Sequence, residues 1–136
     1  DLTIVSYGST FNICEAAVKL LEEANISVEL IDVQTLIPFD INHLIKQSLE
    51  KTNRLLIIDE DVSSGATGYI LDKVLNEQKA FSVLDSAPST LSSKDHRPAY
   101  GTDGDYFSKP SLDDIFEKAY EIMSEVNPSK YPSLFN

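Results

Sequence analysis

One cysteine, Cys14, stands in this chain of 136 residues, so no internal disulfide can form. A chain of this length buries roughly two thirds of its unfolded surface and needs neither a bridge nor a metal to hold a core. The lone thiol fits a reducing compartment. Positive charge is scarce as well: 11 lysines and arginines face 22 aspartates and glutamates, a net charge of −11. Such a field repels phosphate backbones, which disfavours nucleic acid as a partner. It attracts a basic protein or merely aids solubility, and composition does not separate the two. No apolar run approaches the ~20 residues that a membrane-spanning helix needs, so no membrane partner is expected. Glycine is also sparse. The turn Tyr7-Gly-Ser-Thr10 sits where doubly wound folds hold phosphates, at the end of a first strand. A dinucleotide fingerprint needs three spaced glycines and a P-loop needs Gly-Lys-Ser/Thr, and neither is present. The turn is expected to be an ordinary helix entry.

What is present alternates. Leu2–Tyr7 is a short apolar, β-branched run of the kind buried in parallel sheets. Ser9 or Thr10 can cap a helix to about Ala24, with Ile13, Ala17, Leu20, Leu21 and Ala24 on one face and Asn25 as its stop. Val28–Val33 predicts a second strand. Asp40 can cap a helix from Ile41 to about Lys51, with Leu44, Ile45 and Leu49 inward. Arg54–Asp59 predicts the third and most apolar strand. A helix to about Glu77 follows, packing Ile70, Leu71, Val74 and Leu75, and then a weaker fourth strand near 81–86. From Ala87 to Pro110 no period is visible. Ser111 caps a last helix to about Val126, with Leu112, Ile115, Phe116, Ala119, Ile122 and Met123 as its stripe. Strand–helix alternation implies right-handed crossovers and a mainly parallel sheet covered on both faces. The expected fold class is α/β, in one domain spanning residues 1–136. Because Asp1 runs straight into a strand, the domain is expected to be excised from a chain that continues upstream.

Candidate chemistry is thin. Glu60 and Asp61 end the third strand just before Gly65 and Gly68, a position that often lines a crevice, and glycines there permit close approach of another backbone. No histidine or second acidic pair lies nearby in sequence, so an interface or packing role is favoured over catalysis. His43, His96 and Cys14 are too far apart in sequence to suggest a metal site. Cys14 as a nucleophile would need a thiol of low pKa, and in a helix it is expected to be packed. Asp103-Gly-Asp105 lacks the alternating ligands and closing glutamate of a calcium loop. Tyr100, Tyr106 and Phe107 are too apolar to move freely in water, so His96–Pro110 is expected to be a contact loop. In the tail, Tyr131, Leu134 and Phe135 either anchor a partner or dock on their own domain or stay disordered.

The segments "DLTIVSYGST", "AAVKLLEEANISVELIDVQTLIPFD" and "SLEKTNRLLIIDEDVSSGATGYI" together resemble the C-terminal domain of the transketolase superfamily. The nearest likeness is to the beta subunit of thiamine diphosphate-dependent 2-oxo acid dehydrogenases of the pyruvate or branched-chain type. The resemblance covers about residues 2–75. It implies a three-layer α/β/α sandwich with strand order 2-1-3-4, and an antiparallel strand upstream that would otherwise leave Val28–Val33 with an open edge. It implies an assembly role in an enzyme that decarboxylates a 2-oxo acid and passes the acyl group to a lipoyl arm. Thiamine diphosphate with magnesium would be held by other domains, and this fragment would bind neither and be inactive alone. The implied partners are a second copy or the other subunit, and a small basic binding domain of the acyltransferase core. The implied location is bacterial cytoplasm or mitochondrial matrix. Glu60, Asp61, Gly65, Gly68, Tyr131, Leu134 and Phe135 are the expected interface residues. A transketolase or deoxyxylulose-phosphate synthase domain, a flavodoxin-like phosphate-binding protein and a purely structural module are the alternatives.

Overall fold

The computed structural model describes residues 1–7, 10–33, 39–40, 42–62, 66–93 and 110–133. Its elements are β1 (Leu2–Tyr7), α1 (Phe11–Glu23), β2 (Val28–Val33), α2 (Leu44–Thr52), β3 (Leu55–Val62), α3 (Ala66–Asp72), β4 (Ser89–Ser93) and α4 (Leu112–Val126). A π-turn, Lys73–Glu77, continues α3, and a 3₁₀ turn, Ala80–Val83, precedes β4. The strands are parallel in the order β2-β1-β3-β4, as the alternation and the resemblance imply. Among the described residues, no helix is long and apolar enough to cross a membrane.

β1 is buried from Leu2 to Ser6 because both of its faces are covered. Leu2 and Ile4 point into one core with Leu56 and Ile58 of β3, closed by Cys14, Ala17 and Leu21 of α1 and Ile115, Ala119, Ile122 and Met123 of α4. Val5 points the other way, joining Leu55 and Ile57 with Ile45 and Leu49 of α2, Ile70 of α3 and Val74. This is the three-layer sandwich. Burying a Leu or Ile side chain contributes ~1.5–3 kcal/mol each, so these two stripes dominate the fold's favourable free energy. A buried polar cluster interrupts the second core. Thr3 Oγ1 lies 2.8 Å from Ser48 Oγ and 2.6 Å from Thr52 Oγ1, joining β1 to α2 by hydroxyls that would be costly to bury unpaired.

Helix ends explain several departures from the sequence reading. α2 starts at Leu44, later than expected, because His43 has a left-handed backbone (φ 54°), which a right-handed helix excludes. Asp40 still supplies the cap: its carboxylate accepts from the Leu44 N–H at 2.9 Å and the Ile45 N–H at 3.0 Å. Gln78 Nε2 donates to the same carboxylate at 2.9 Å, tying the end of the π-turn to the start of α2. Leu44, expected inward, is 53% exposed, since the buried stripe is Ile45, Ser48, Leu49 and Thr52. Leu20 is likewise 37% exposed, with Cys14 taking the inward place beside Ala17 and Leu21. α1 ends at Glu23, and Asn25 acts as its stop as expected: its φ of 65°, with Asn25 N–H to Glu22 and Ile26 N–H to Leu21, reverses the chain.

The fourth strand is displaced from its predicted place. Residues 81–86 form the 3₁₀ turn and its exit, with Phe81 70% exposed. Asp85 is held at the end of α2 by its N–H to the Asn53 carbonyl (2.9 Å) and by its carboxylate to Arg54 (3.0 Å). The strand is Ser89–Ser93, whose Ser/Thr content suits an outer position beside β3. Most of the contact loop expected over His96–Pro110 lies outside the described residues. α4 matches its prediction, and Ser111 and Asp114 form a reciprocal capping box.

Cys14 is fully buried. Burial pushes its thiol up to about 12 from an ordinary value of 9.0. The neutral thiol therefore favours folding below pH ~9, and this contribution fades as pH rises toward ~12. Cys14→Ala should flatten the alkaline loss of stability relative to the parent over that window, measured by urea titrations at stepped pH; parallel curves would exclude the buried-thiol effect. Asp40→Ala removes three accepted hydrogen bonds and should cost about 1–2 kcal/mol in urea unfolding. A change within the error of the titration would mean that the cap contributes nothing.

Candidate subunit interface

The crevice of an open parallel sheet forms outside the carboxyl ends of its strands, where consecutive helices pass to opposite faces. Here α1 and α2 cover opposite faces, so that point lies between β1 and β3, at Tyr7 and Asp59, which are register partners. β3 continues through Glu60 and Asp61 to Val62 and leads into α3. Gly65 lies outside the described residues. Gly68 is the third residue of α3 and is half-buried, between the buried Thr67 and the half-buried Tyr69. A helix-interior glycine costs about 1 kcal/mol relative to alanine, and its missing Cβ lets another backbone approach.

Aromatic and charged groups that the sequence reading passed over surround this helix. Phe39 packs edge-on against Tyr69 with ring centroids 6.2 Å apart. Lys73 Nζ lies 5.3 Å from the Tyr69 ring centre and 2.8 Å from Glu77, whose hydrogen bond raises the lysine's pKa above its ordinary value. Asp59, within β3, is also buried, at 1% exposure. The available signal was Tyr69 beside Gly68 and Phe39 beside Asp40, in both cases an aromatic next to a residue already singled out.

Tyr131 does not join this group. It is 3% exposed, lies in the core on the opposite face of the sheet from α3, and donates its hydroxyl to the Asn25 carbonyl at 2.8 Å. Tyr120 packs edge-on against it and donates to the Pro132 carbonyl at 2.8 Å. The tail therefore docks on its own domain through Tyr131, which corrects the expectation of an outward anchor at that residue. Leu134 and Phe135 lie outside the described residues.

Two further surfaces are distinctive. Among the described residues β2 pairs only with β1; its residues from Val28 to Asp32 are half-buried, and Val33 is buried. Lys51 of α2 approaches Glu29 of that strand at 2.6 Å, and this hydrogen bond holds the Glu29 carboxyl below its ordinary value. A cleft of about 280 Å³ opens beside it, lined by Asp1, Ser27, Val28, Glu29, Lys51 and Thr52, at the opposite end of the strands from the crevice. Charge is also unevenly spread. α1 exposes Glu15, Glu22 and Glu23, and α4 exposes Asp113, Asp114, Glu117, Glu121 and Glu125, against Lys19 and the half-buried Lys118. The α2 layer is balanced, with Lys46 and Lys51 beside Glu50. Among the described residues no group of three or more His, Cys, Asp or Glu side chains could hold a metal ion. His43 stands at the N-cap of α2, and Cys14, its thiol kept neutral by burial, is packed.

The family model for the transketolase C-terminal domain matches residues 1–109. The beta subunit of the pyruvate dehydrogenase E1 component from Mesostigma viride is 33% identical over 125 residues, covering 91% of this chain and 37% of that protein. The same subunit from Acholeplasma laidlawii is 41% identical over 88 residues, 65% of this chain and 26% of that protein. A mitochondrial 2-oxoisovalerate dehydrogenase beta subunit from Arabidopsis thaliana is 43% identical over 68 residues, 50% of this chain and 19% of that protein. The chain thus spans well under half the length of these relatives. A solved split-gene transketolase, described as an inactive beta4 tetramer, superposes with a TM-score of 0.66 at 19% identity, over 91% of this chain and 38% of that one, and so shares the fold. With that family model matching most of its length, the chain belongs to the transketolase C-terminal domain family.

Proposed function

We propose that this chain is the assembly domain of a thiamine diphosphate-dependent 2-oxo acid dehydrogenase first component. The intact enzyme decarboxylates pyruvate or a branched-chain 2-oxo acid and passes the acyl group to a lipoyl arm. The observation that carries this reading is the match over 91% of the chain to a pyruvate dehydrogenase beta subunit. Thiamine diphosphate and magnesium are assigned to other domains of the intact enzyme, and the contribution of this one is to hold subunits together. Bacterial cytoplasm or mitochondrial matrix is the corresponding location.

The proposed interface is the end of β3 and α3, through Glu60, Asp61, Gly65 and Gly68, with the half-buried Tyr69 beside them. The outer edge of β2 supports a second part of the reading. A half-buried strand paired on one side exposes a row of backbone donors and acceptors. An antiparallel strand from the preceding part of a longer chain would cover it. The acidic outer faces of α1 and α4 favour a basic partner, and the small binding domain of an acyltransferase core has that chemistry.

In the intact subunit, Gly68→Leu should weaken self-association about 10-fold or more, read by sedimentation across a concentration series. Disrupting the packing at the middle of an interface costs on the order of 1.4 kcal/mol or more. Tyr131→Phe, on the far side of the sheet, should leave association unchanged while lowering stability by about 1 kcal/mol. Equal association by the parent and Gly68→Leu would remove the interface from α3. Binding of the basic domain should weaken as salt is raised, and Glu117→Lys with Glu121→Lys should weaken it further. Salt-independent binding would refute the electrostatic part of the proposal.

A further inference from the structure

We draw no further inference here: the strongest candidate, the outer edge of β2 along Val28–Val33, is paired on one side only among the described residues, but nothing in the structure shows what covers it beyond the strand already proposed.

Discussion

The constraint on which the domain depends is that β1 and β3 are buried on both faces at once. Leu2 and Ile4 alternate with Thr3 and Val5, and Leu56 and Ile58 with Leu55 and Ile57, so each strand feeds two separate cores. Neither strand can expose a face without opening one of them. Helices must therefore cover both sides, and the chain does so by sending α1 and α2 to opposite faces. That choice creates the crevice between β1 and β3 and puts α3 at its rim. The polar intrusion of Thr3 with Ser48 and Thr52 is tolerated because its hydroxyls satisfy one another.

Much of this architecture was legible because burial writes itself into local patterns. The continuous apolar runs of β1 and β3 and the stripe of α4 behind Ser111 are signals confined to a few residues. β4 was harder. Ser89-Thr-Leu-Ser-Ser93 presents one large apolar side chain, Leu91, and an outer strand needs no more. The 3₁₀ turn before it carries the more strand-like Phe81, yet that ring is mostly in water. The start of α2 was set by the backbone of His43, which composition does not encode. Leu20 and Leu44 show that periodicity fixes a face only to within about one helix position, and here Cys14 and Ser48 took the inner places.

The candidate interface was legible only in part, for a different reason. Glu60, Asp61 and Gly68 are close in sequence, so one strand–turn–helix joins them in any α/β reading. Tyr131 could be related to them only by knowing which face of the sheet the tail crosses. Its aperiodic surroundings gave no clue that it would reach the carbonyl of Asn25, 106 residues earlier in the chain. Asn25 itself lies in the left-handed turn that follows α1.

The docking of Tyr131 also gives the two cores different histories as the chain emerges from the ribosome. Among the described residues, the core shared by Val5, Ile57, Leu49 and Val74 draws on residues up to about Leu84. It can close before α4 is made. The other core waits for α4 and then for Tyr131, five residues past the end of that helix. Until then, among the described residues, Leu2, Ile4, Leu56 and Ile58 have chiefly α1 and Ile26 for cover. A nascent or prematurely terminated chain thus shows one finished face and one sticky face, and the sticky one is the natural target for a chaperone.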